Sequence, residues 1–150
     1  MIQFIRTTSE NTDFKELVIK LDKDLSIRDG DEHAFYSQFN KIDTLKNVIV
    51  AYMDEQPVAC GAFKQYSANK VEIKRMFVLP QNRCNGIASS LLLQLETWAL
   101  ELGNTICMLE TGVKQPEAIR LYEKNGYRKI PNFGQYAEVV NSVCFEKIIK

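Results

Sequence analysis

The amino-acid sequence predicts a mixed α/β fold of the α+β kind, in which one sheet carries helices on both faces. The predicted elements follow in the order strand, two helices, three strands, helix, strand, helix and two strands. The 150 residues fit a single domain, spanning residues 1–150, whose core is large enough to fold alone. The composition agrees, since 45% of the residues are hydrophobic and 25% are charged.

The first part of the chain predicts one strand and two helices. Residues 2–7 alternate weakly between apolar and polar side chains, as a half-buried strand does. Asn11 or Thr12 can cap a helix whose apolar residues recur at helical spacing, namely Phe14, Leu17, Val18, Leu21 and Leu25. A polar turn at residues 29–31 leads to a second short helix, over about 32–40.

The remaining elements are predicted by turn residues and apolar spacing. Residues 48–53 and 57–65 flank a turn and form a hairpin, and 70–79 is a third β run. Gly103 stops the longest helix, whose apolar residues are Ile87, Leu91, Leu95, Trp98 and Leu102. A strand at 106–110 and a helix from Pro116 to Asn125 follow, and strands at 127–130 and 142–149 end the fold.

Charge and hydropathy argue against several classes of protein. Nineteen basic residues balance nineteen acidic ones, so we expect no nucleic-acid partner. The apolar runs are too short to span a bilayer, and no secretory signal is recognisable at the N-terminus, which predicts a cytoplasmic protein without a membrane partner. No two cysteines form a C-x-x-C pair, so we expect no metal site. Cys60, Cys107 and Cys144 lie in apolar runs and are expected to be buried thiols.

The most informative segment is the turn before the longest helix. The β run ends at Pro80, and a polar turn containing Arg83 leads to Gly86 and Ala88 at the start of the helix. The first N–H groups of a helix have no partners within it and attract anions. Small residues let a ligand approach the backbone, so the segment is suited to a pyrophosphate. An ordinary strand–turn–helix connection is the alternative.

This turn resembles the signature motif of the GNAT superfamily of N-acetyltransferases. The motif Arg/Gln-x-x-Gly-x-Gly/Ala is present as Arg83, Gly86 and Ala88. Cys84 replaces the glycine that usually follows the arginine, which makes a left-handed backbone at this position unfavourable. The resemblance implies a small, single-domain member of the bacterial type, with a twisted, mostly antiparallel sheet of about six to seven strands.

A second motif agrees with the first. Residues 115–127 are similar to the family block Asn-x-x-Ala-x-x-x-Tyr-x-x-x-Gly-Phe/Tyr, with Gln115 in place of the asparagine. The resemblance spans residues 2–150 and is specific from about 72 to 127. It implies acetyl-CoA as co-substrate, held largely through backbone groups of Met76, Phe77, Val78, Arg83, Cys84, Asn85, Gly86, Ile87, Ala88, Ser89 and Gln115.

Two residues are the candidates for catalysis of acetyl transfer to an amine. Tyr122 is the candidate acid at the coenzyme sulfur, because its phenol has an unperturbed pKa of about 10, near that of a thiol. Packing on the core face of a helix is its alternative role. Glu72, at the position where some family members carry a base, is the candidate general base. Its alternative is an exposed glutamate paired with Lys74 or Arg75. Period-two alternation would place Glu72, Met76 and Val78 on one face, but the family's usual bulge would break it.

The acceptor, a small-molecule amine or a peptide, is not identified by the sequence. The family's acceptor site commonly involves the segment between the first two helices, here residues 28–40, where helix capping and core packing are the alternative. His33 within it is more simply a surface residue than a base. Residues 131–136 can close over the acceptor or form a plain loop. The sequence also leaves open a homodimer, a non-catalytic acyl-CoA-binding module, and a structural domain without ligand.

Overall fold

The computed structural model describes residues 1–29 and 44–150, which form seven strands and three α-helices. The strands are β1 (Ile2–Thr7), β2 (Asn47–Met53), β3 (Gln56–Ser67), β4 (Lys70–Val78), β5 (Ile106–Gly112), β6 (Arg128–Ile130) and β7 (Ser142–Ile148). The helices are α1 (Thr12–Asp29), α2 (Ile87–Glu101) and α3 (Pro116–Lys124). The predicted elements are confirmed within two or three residues at each end. The short helix predicted at 32–40 falls outside the described residues.

The seven strands form one mixed sheet in the order β1-β2-β3-β4-β5-β7-β6. Neighbouring strands are antiparallel except β4 and β5, which run parallel because α2 connects them. The predicted mixed, mostly antiparallel sheet is thereby confirmed. Asp54 and Glu55, at the β2–β3 turn, both have positive φ, as a tight hairpin turn requires.

Two apolar cores cover the two faces of the sheet. The core on the α2 and α3 face includes Phe63, Ile73, Leu91, Leu95 and Tyr122. The core on the α1 face includes Phe14, Val18, Val50, Cys60 and Phe77. Helices on both faces explain why β2 and the first half of β3 carry apolar residues at nearly every position.

Helix α1 begins and packs as its sequence predicts. The Asn11 side-chain Oδ1 accepts a hydrogen bond from the Phe14 N–H at 2.9 Å, which satisfies one of the free donors of the first turn. Phe14, Leu17, Val18 and Leu21 are buried on the sheet side of the helix. Among the described residues, none of the helices is both long and apolar enough to span a membrane.

A β-bulge interrupts β4 opposite Gly61. Ala62 pairs with Lys74 and Cys60 pairs with Phe77, so Gly61 faces both Arg75 and Met76. Arg75 has a φ of 58°, an unfavourable backbone for a residue with a side chain. A β-carbon on Gly61 would lie 2.7 Å from the Met76 sulfur, so glycine is the residue that leaves room for the bulge.

The bulge reverses the alternation of β4. Glu72 and Lys74 lie on the α1 face, because they oppose Lys64 and Ala62 of β3. Met76 contacts the α2 side, where a β-carbon on Gly61 would meet both it and Leu95. The simple alternation that groups Glu72 with Met76 and Val78 is therefore wrong, and the expected bulge is confirmed.

Strands β4 and β5 separate soon after they meet. Their parallel pairing covers three residue pairs, of which the last joins Glu72 to Met108. β4 continues to Val78 and β5 continues to Gly112 without pairing to each other. The inner edges of the two strands beyond this point therefore enclose a gap in the middle of the sheet.

Candidate active site

A cleft of about 110 Å³ occupies the gap between β4 and β5. Its walls come from α1, β4, β5, α3 and the short 3₁₀ turn Gly134–Tyr136. The cleft brings together acidic, basic and phenolic side chains that are far apart in the sequence, namely Glu72, Lys74, Arg75, Glu110, Tyr122 and Tyr136. Such a concentration of titratable groups in one concavity is typical of a catalytic or binding site.

The turn before α2 presents free main-chain donors. In the described part of the chain, the N–H groups of residues 84–89 donate no hydrogen bond, and Ser90 is the first residue of α2 to bond back, to the Gly86 carbonyl at 3.1 Å. Gly86 is the N-cap residue, with a left-handed φ of 75°. A β-carbon there would meet no atom within 4 Å, so the space beside the turn is open. This geometry suits an anion at the positive end of the helix dipole.

Cys84 adopts the left-handed backbone that its side chain makes unfavourable. Its φ is 66°, and its thiol is exposed. The turn therefore keeps its shape although a cysteine replaces glycine, at a conformational cost of about 1–2 kcal/mol. The buried positions expected for Cys60, Cys107 and Cys144 are confirmed.

The Arg83 side chain contacts the end of β4 and helix α1. Its Nε donates to the Val78 carbonyl at 2.9 Å, and its Nη2 lies 3.9 Å from an Asp24 carboxylate oxygen. The guanidinium also lies over the Phe77 ring, 5.6 Å from its centre. These contacts brace the turn against the end of β4, while the half-exposed guanidinium retains other donors.

Ser89 links the start of α2 to the end of α3. The Asn125 Nδ2 donates to the Ser89 Oγ at 3.1 Å and to the Leu121 carbonyl at 2.8 Å. Because the Ser89 oxygen accepts this bond, its own O–H is oriented to donate elsewhere. The sequence predicts Asn125 only as the end of a helix, and no pattern in it indicates this side-chain role.

Glu72 is buried and paired with a lysine. Its side chain is 9% exposed, and one carboxylate oxygen lies 3.7 Å from the Lys74 Nζ. Burial raises the pKa of Glu72 above its ordinary value, and the positive charges of Lys74 and Lys64 partly oppose this rise. The exposed glutamate considered as an alternative is wrong, and Lys74 rather than Arg75 is its partner. A buried carboxylate with a raised pKa is suited to accept a proton near neutral pH.

Tyr122 lies on the opposite wall of the cleft, on α3. Its ring is buried and packs edge-on against the Tyr127 ring at 5.8 Å, so the core packing considered for it is present. It also lines the cleft that contains Glu72. Burial, together with the charge of Glu110, raises the pKa of Tyr122, so its phenol stays protonated and can donate a hydrogen bond.

The remaining candidates lie around the same gap. Gln115 is the N-cap residue of α3 and lines the cleft with Met76. Phe77 and Val78 are buried at the end of β4, where they precede the turn to α2. Among the described residues, no strand pairs with this part of β4 on its β5 side, which leaves room for an extended, amide-rich group.

The proposed acceptor segment is only partly described. Residues 30–43, which include His33, fall outside the described residues. Tyr136, in the turn-rich connection 131–136, is buried and lines the cleft beside β4 and β5. Sequence reasoning did not select Lys74, Arg75, Glu110 or Tyr136 as individual site residues. Their proximity depends on the separation of β4 and β5, which leaves no local signal in the sequence.

A network of one hydrogen bond and one ion pair, centred on Glu96, supports the site from the core. Glu96 of α2 is 5% exposed. Its carboxylate accepts a hydrogen bond from the Tyr127 hydroxyl at 2.8 Å and forms an ion pair with the Lys147 Nζ at 2.9 Å. Tyr127 in turn packs against Tyr122. The network therefore fixes one side of the Tyr122 ring.

Comparison with known proteins assigns this geometry to a family. The model of the acetyltransferase (GNAT) family matches residues 14–127. An IAA acetyltransferase of Azospirillum brasilense is 37% identical over 100 residues, which are 66% of this chain and 65% of that protein. The match thus spans slightly less than two thirds of this curated relative.

Solved structures agree over the whole chain. A Klebsiella pneumoniae protein assigned to the acyl-CoA N-acyltransferases has a TM-score of 0.84 at 25% identity, with 100% of this chain and 99% of that one covered. The PaiA N-acetyltransferase of Thermoplasma acidophilum, solved in complex with coenzyme A, has a TM-score of 0.72 at 20% identity, with 99% of each chain covered. At 20% identity, the likeness to the Thermoplasma protein shows only that the two chains share a fold.

Proposed function

This chain belongs to the GNAT acetyltransferase family, and we propose that it transfers the acetyl group of acetyl-CoA to a primary amine. In this proposal the chain works as one domain, and the amine attacks the thioester directly while both substrates are bound. The observation that carries the proposal is the gap between β4 and β5: the cleft within it contains Glu72 and Tyr122, and the free donors of residues 84–89 follow the end of β4.

The coenzyme would lie along the gap, with its pyrophosphate at the first turn of α2. The N–H groups of residues 84–89 are free to bind the phosphate oxygens, and the Ser89 hydroxyl can add one donor. The pantetheine arm would extend beside residues 76–78, which pair with no residue of β5. The coenzyme-bound structure of the Thermoplasma relative supports this use of the fold.

Acetyl transfer forms one bond and breaks one. The amine nitrogen attacks the thioester carbonyl carbon, the carbon–sulfur bond breaks, and the products are an amide and free coenzyme thiol. Glu72 would take the proton that the amine loses, directly or through a water molecule. Tyr122 would donate a hydrogen bond or its proton to the departing thiolate. N–H groups of residues 76–78 would stabilise the developing charge on the carbonyl oxygen.

We expect the two substrates to approach from opposite faces of the sheet. The turn that would hold the pyrophosphate begins α2, whose buried residues lie on the face shared with α3. Glu72 and Lys74 lie on the α1 face. We infer that the coenzyme enters from the α2 side and the amine from the α1 side, so that the two meet in the gap.

Release of free thiol tests this function. Wild-type protein is incubated with acetyl-CoA and a panel of primary amines, amino acids and short peptides, and the thiol is measured with a chromogenic disulfide. Transferase activity gives thiol release that depends on a particular acceptor. Protein that binds acetyl-CoA but releases no thiol with any acceptor would instead be a binding module.

A further inference from the structure

Arg75 is a buried arginine most of whose donors are unused. Its side chain is 3% exposed, and its Nη1 donates to the Asp22 carboxylate of α1 at 2.7 Å. Within residues 1–29 and 44–150, its Nε and Nη2 have no hydrogen-bond partner. Buried donors on a charged group are costly to leave unpaired, which indicates a partner other than residues 1–29 and 44–150.

The bulge in β4 places Arg75 on the acceptor side of the cleft. Its φ of 58° belongs to the extra residue that opposes Gly61, and its side chain reaches α1 on the same face as Glu72 and Lys74. It also lines the cleft, as do Leu21 and Leu25 of α1. A strained backbone that directs a charged side chain into a cleft is typical of a functional position.

The two free nitrogens have the geometry of a carboxylate receptor. In a guanidinium group, the Nε and the distal Nη2 direct one N–H each along the same edge, in parallel. Two parallel N–H groups match the two oxygens of a carboxylate. Asp22 occupies the other end of the guanidinium, and its side chain is 45% exposed, so solvent weakens its neutralisation of the buried charge.

Of the two basic residues described in the cleft lining, Arg75 is the one with unpaired buried donors for an incoming anion. Lys74 is already paired with Glu72, at 3.7 Å. Glu110 also lines the cleft, and it accepts a hydrogen bond from the Ser142 hydroxyl at 2.7 Å. The two carboxylates suit a cationic amine, while the unpaired, buried edge of the Arg75 guanidinium suits an anion.

We propose that the acceptor is an amino acid or another amine that also carries a carboxylate, and that Arg75 binds this carboxylate through Nε and Nη2. The inference rests on the proposed function, because it concerns the second substrate of the same cleft. Glu72 lies three residues before Arg75 on the same face, so one small molecule can present its amine to Glu72 and its carboxylate to Arg75. Both nitrogens are buried, so the carboxylate reaches them by displacing side chains of the cleft wall.

Matched acceptor pairs test the proposal. The common α-amino acids and several ω-amino acids are each assayed beside their primary amides, by thiol release from acetyl-CoA. In the wild type, we expect kcat/KM for the best acid to exceed that of its amide by about 30-fold or more, as for loss of one partner of a buried charge pair. Arg75→Lys keeps the charge without the fork and should lower this acid-to-amide ratio by about 10-fold.

Asp22→Asn provides a second variant that leaves Arg75 in place. It removes the negative charge that now neutralises Arg75, so the acid-to-amide ratio should stay the same or rise. The ratio is measured within each variant, so a general loss of folding or activity does not change it. KM for acetyl-CoA should change less than 3-fold in both variants, which separates acceptor binding from coenzyme binding.

The outcomes separate the inference from the function. Equal activity with acids and amides in the wild type, or a raised acetyl-CoA KM with an unchanged ratio in Arg75→Lys, would overturn the role of Arg75 and leave the transferase proposal intact. Absence of thiol release with every acid, amide and amine would instead remove the proposed function, and this inference with it.

Discussion

Glu72 and Met108 form the last residue pair that joins β4 to β5, and the two strands separate immediately beyond them. The candidate base therefore lies at the point where the sheet opens. Tyr122 reaches the same cleft from α3, and the free donors of residues 84–89 lie beyond the far end of β4. The position of this one pair thus determines which side chains share the site.

Replacement of Glu72 should slow the reaction, because it removes the proposed general base. We expect Glu72→Gln to lower kcat by about 10²- to 10⁴-fold, the usual contribution of a general base. Burial raises the pKa of Glu72 above 4.5, so the wild type should lose kcat/KM as the pH falls through that raised value, because the protonated carboxyl cannot accept a proton. A pH profile of the two proteins with one acceptor measures both effects.

Glu110→Gln is the matched control for the base, because Glu110 is the other carboxylate among the described residues that line the cleft. The acid limb of the profile should persist in this variant. Loss of the limb in Glu110→Gln with its retention in Glu72→Gln would assign the base to Glu110.

Lys74 should tune the pKa of Glu72. Its positive charge lowers that pKa and is the largest effect opposing burial, ahead of Lys64. We expect Lys74→Met to move the acid limb of kcat/KM to higher pH, and Lys64→Met to move it less. Displacement of the limb to lower pH in Lys74→Met would show that the titrating group is not Glu72.

Tyr122→Phe should slow the chemical step without weakening coenzyme binding. The ring contacts of Tyr122 do not need its hydroxyl, whereas interaction with the departing sulfur does. We expect kcat to fall about 10-fold or more while the acetyl-CoA dissociation constant changes less than 3-fold, as for loss of one transition-state hydrogen bond. Calorimetric titration and steady-state kinetics measure the two quantities. A kcat equal to that of the wild type would exclude the role at the sulfur.

Tyr127→Phe is the control for Tyr122→Phe, because it also removes a buried hydroxyl. It should lower stability, which Tyr122→Phe should not. It leaves the buried Glu96 carboxylate without one donor. We expect the free energy of unfolding to fall by about 1–3 kcal/mol. Denaturant unfolding measures this loss, which Tyr122→Phe should not reproduce.

Cys84→Gly should stabilise the fold while preserving coenzyme binding. A left-handed backbone costs a residue with a side chain about 1–2 kcal/mol, and glycine loses about 0.5–1 kcal/mol of chain entropy, so the net gain is about 0.5–1 kcal/mol. Cys84→Ala keeps the β-carbon and should give no such gain. Denaturant unfolding of both variants checks this, and destabilisation by Cys84→Gly would argue against the strained turn.

Local sequence patterns predicted the elements because short-range rules govern them. The Asn11 cap, the apolar side of α1 and the glycine at the start of α2 are each determined by neighbouring residues. The apolar pattern of α2 was partly wrong. Leu102 is 56% exposed because the helix ends at Glu101, and Leu92 and Ala99 are buried instead.

The interior of the site was less predictable, because it depends on pairing between distant strands. The bulge at Arg75 is set by Gly61 on β3, and the gap is set by where β5 leaves β4. Family resemblance selected Glu72 and Tyr122, but no sequence pattern indicates that Arg75 is buried with free donors. That feature required the three-dimensional contacts of α1.

Acetyl-CoA binding by a matched pair of glycine variants tests the central claim most directly. Gly86 precedes α2 and Gly103 follows it. Both have positive φ, of 75° and 91°, and a β-carbon at either would meet no atom within 4 Å. Valine at either position therefore imposes similar backbone strain, but only at Gly86 does it intrude on the turn that would hold the pyrophosphate.

Calorimetric titration of folded Gly86→Val and Gly103→Val with acetyl-CoA decides the matter. We expect Gly86→Val to bind roughly 100-fold more weakly than the wild type, as for loss of two hydrogen bonds to a charged group, and Gly103→Val to bind within about 3-fold of it. Normal acetyl-CoA affinity in folded Gly86→Val would contradict the placement of the coenzyme at the start of α2.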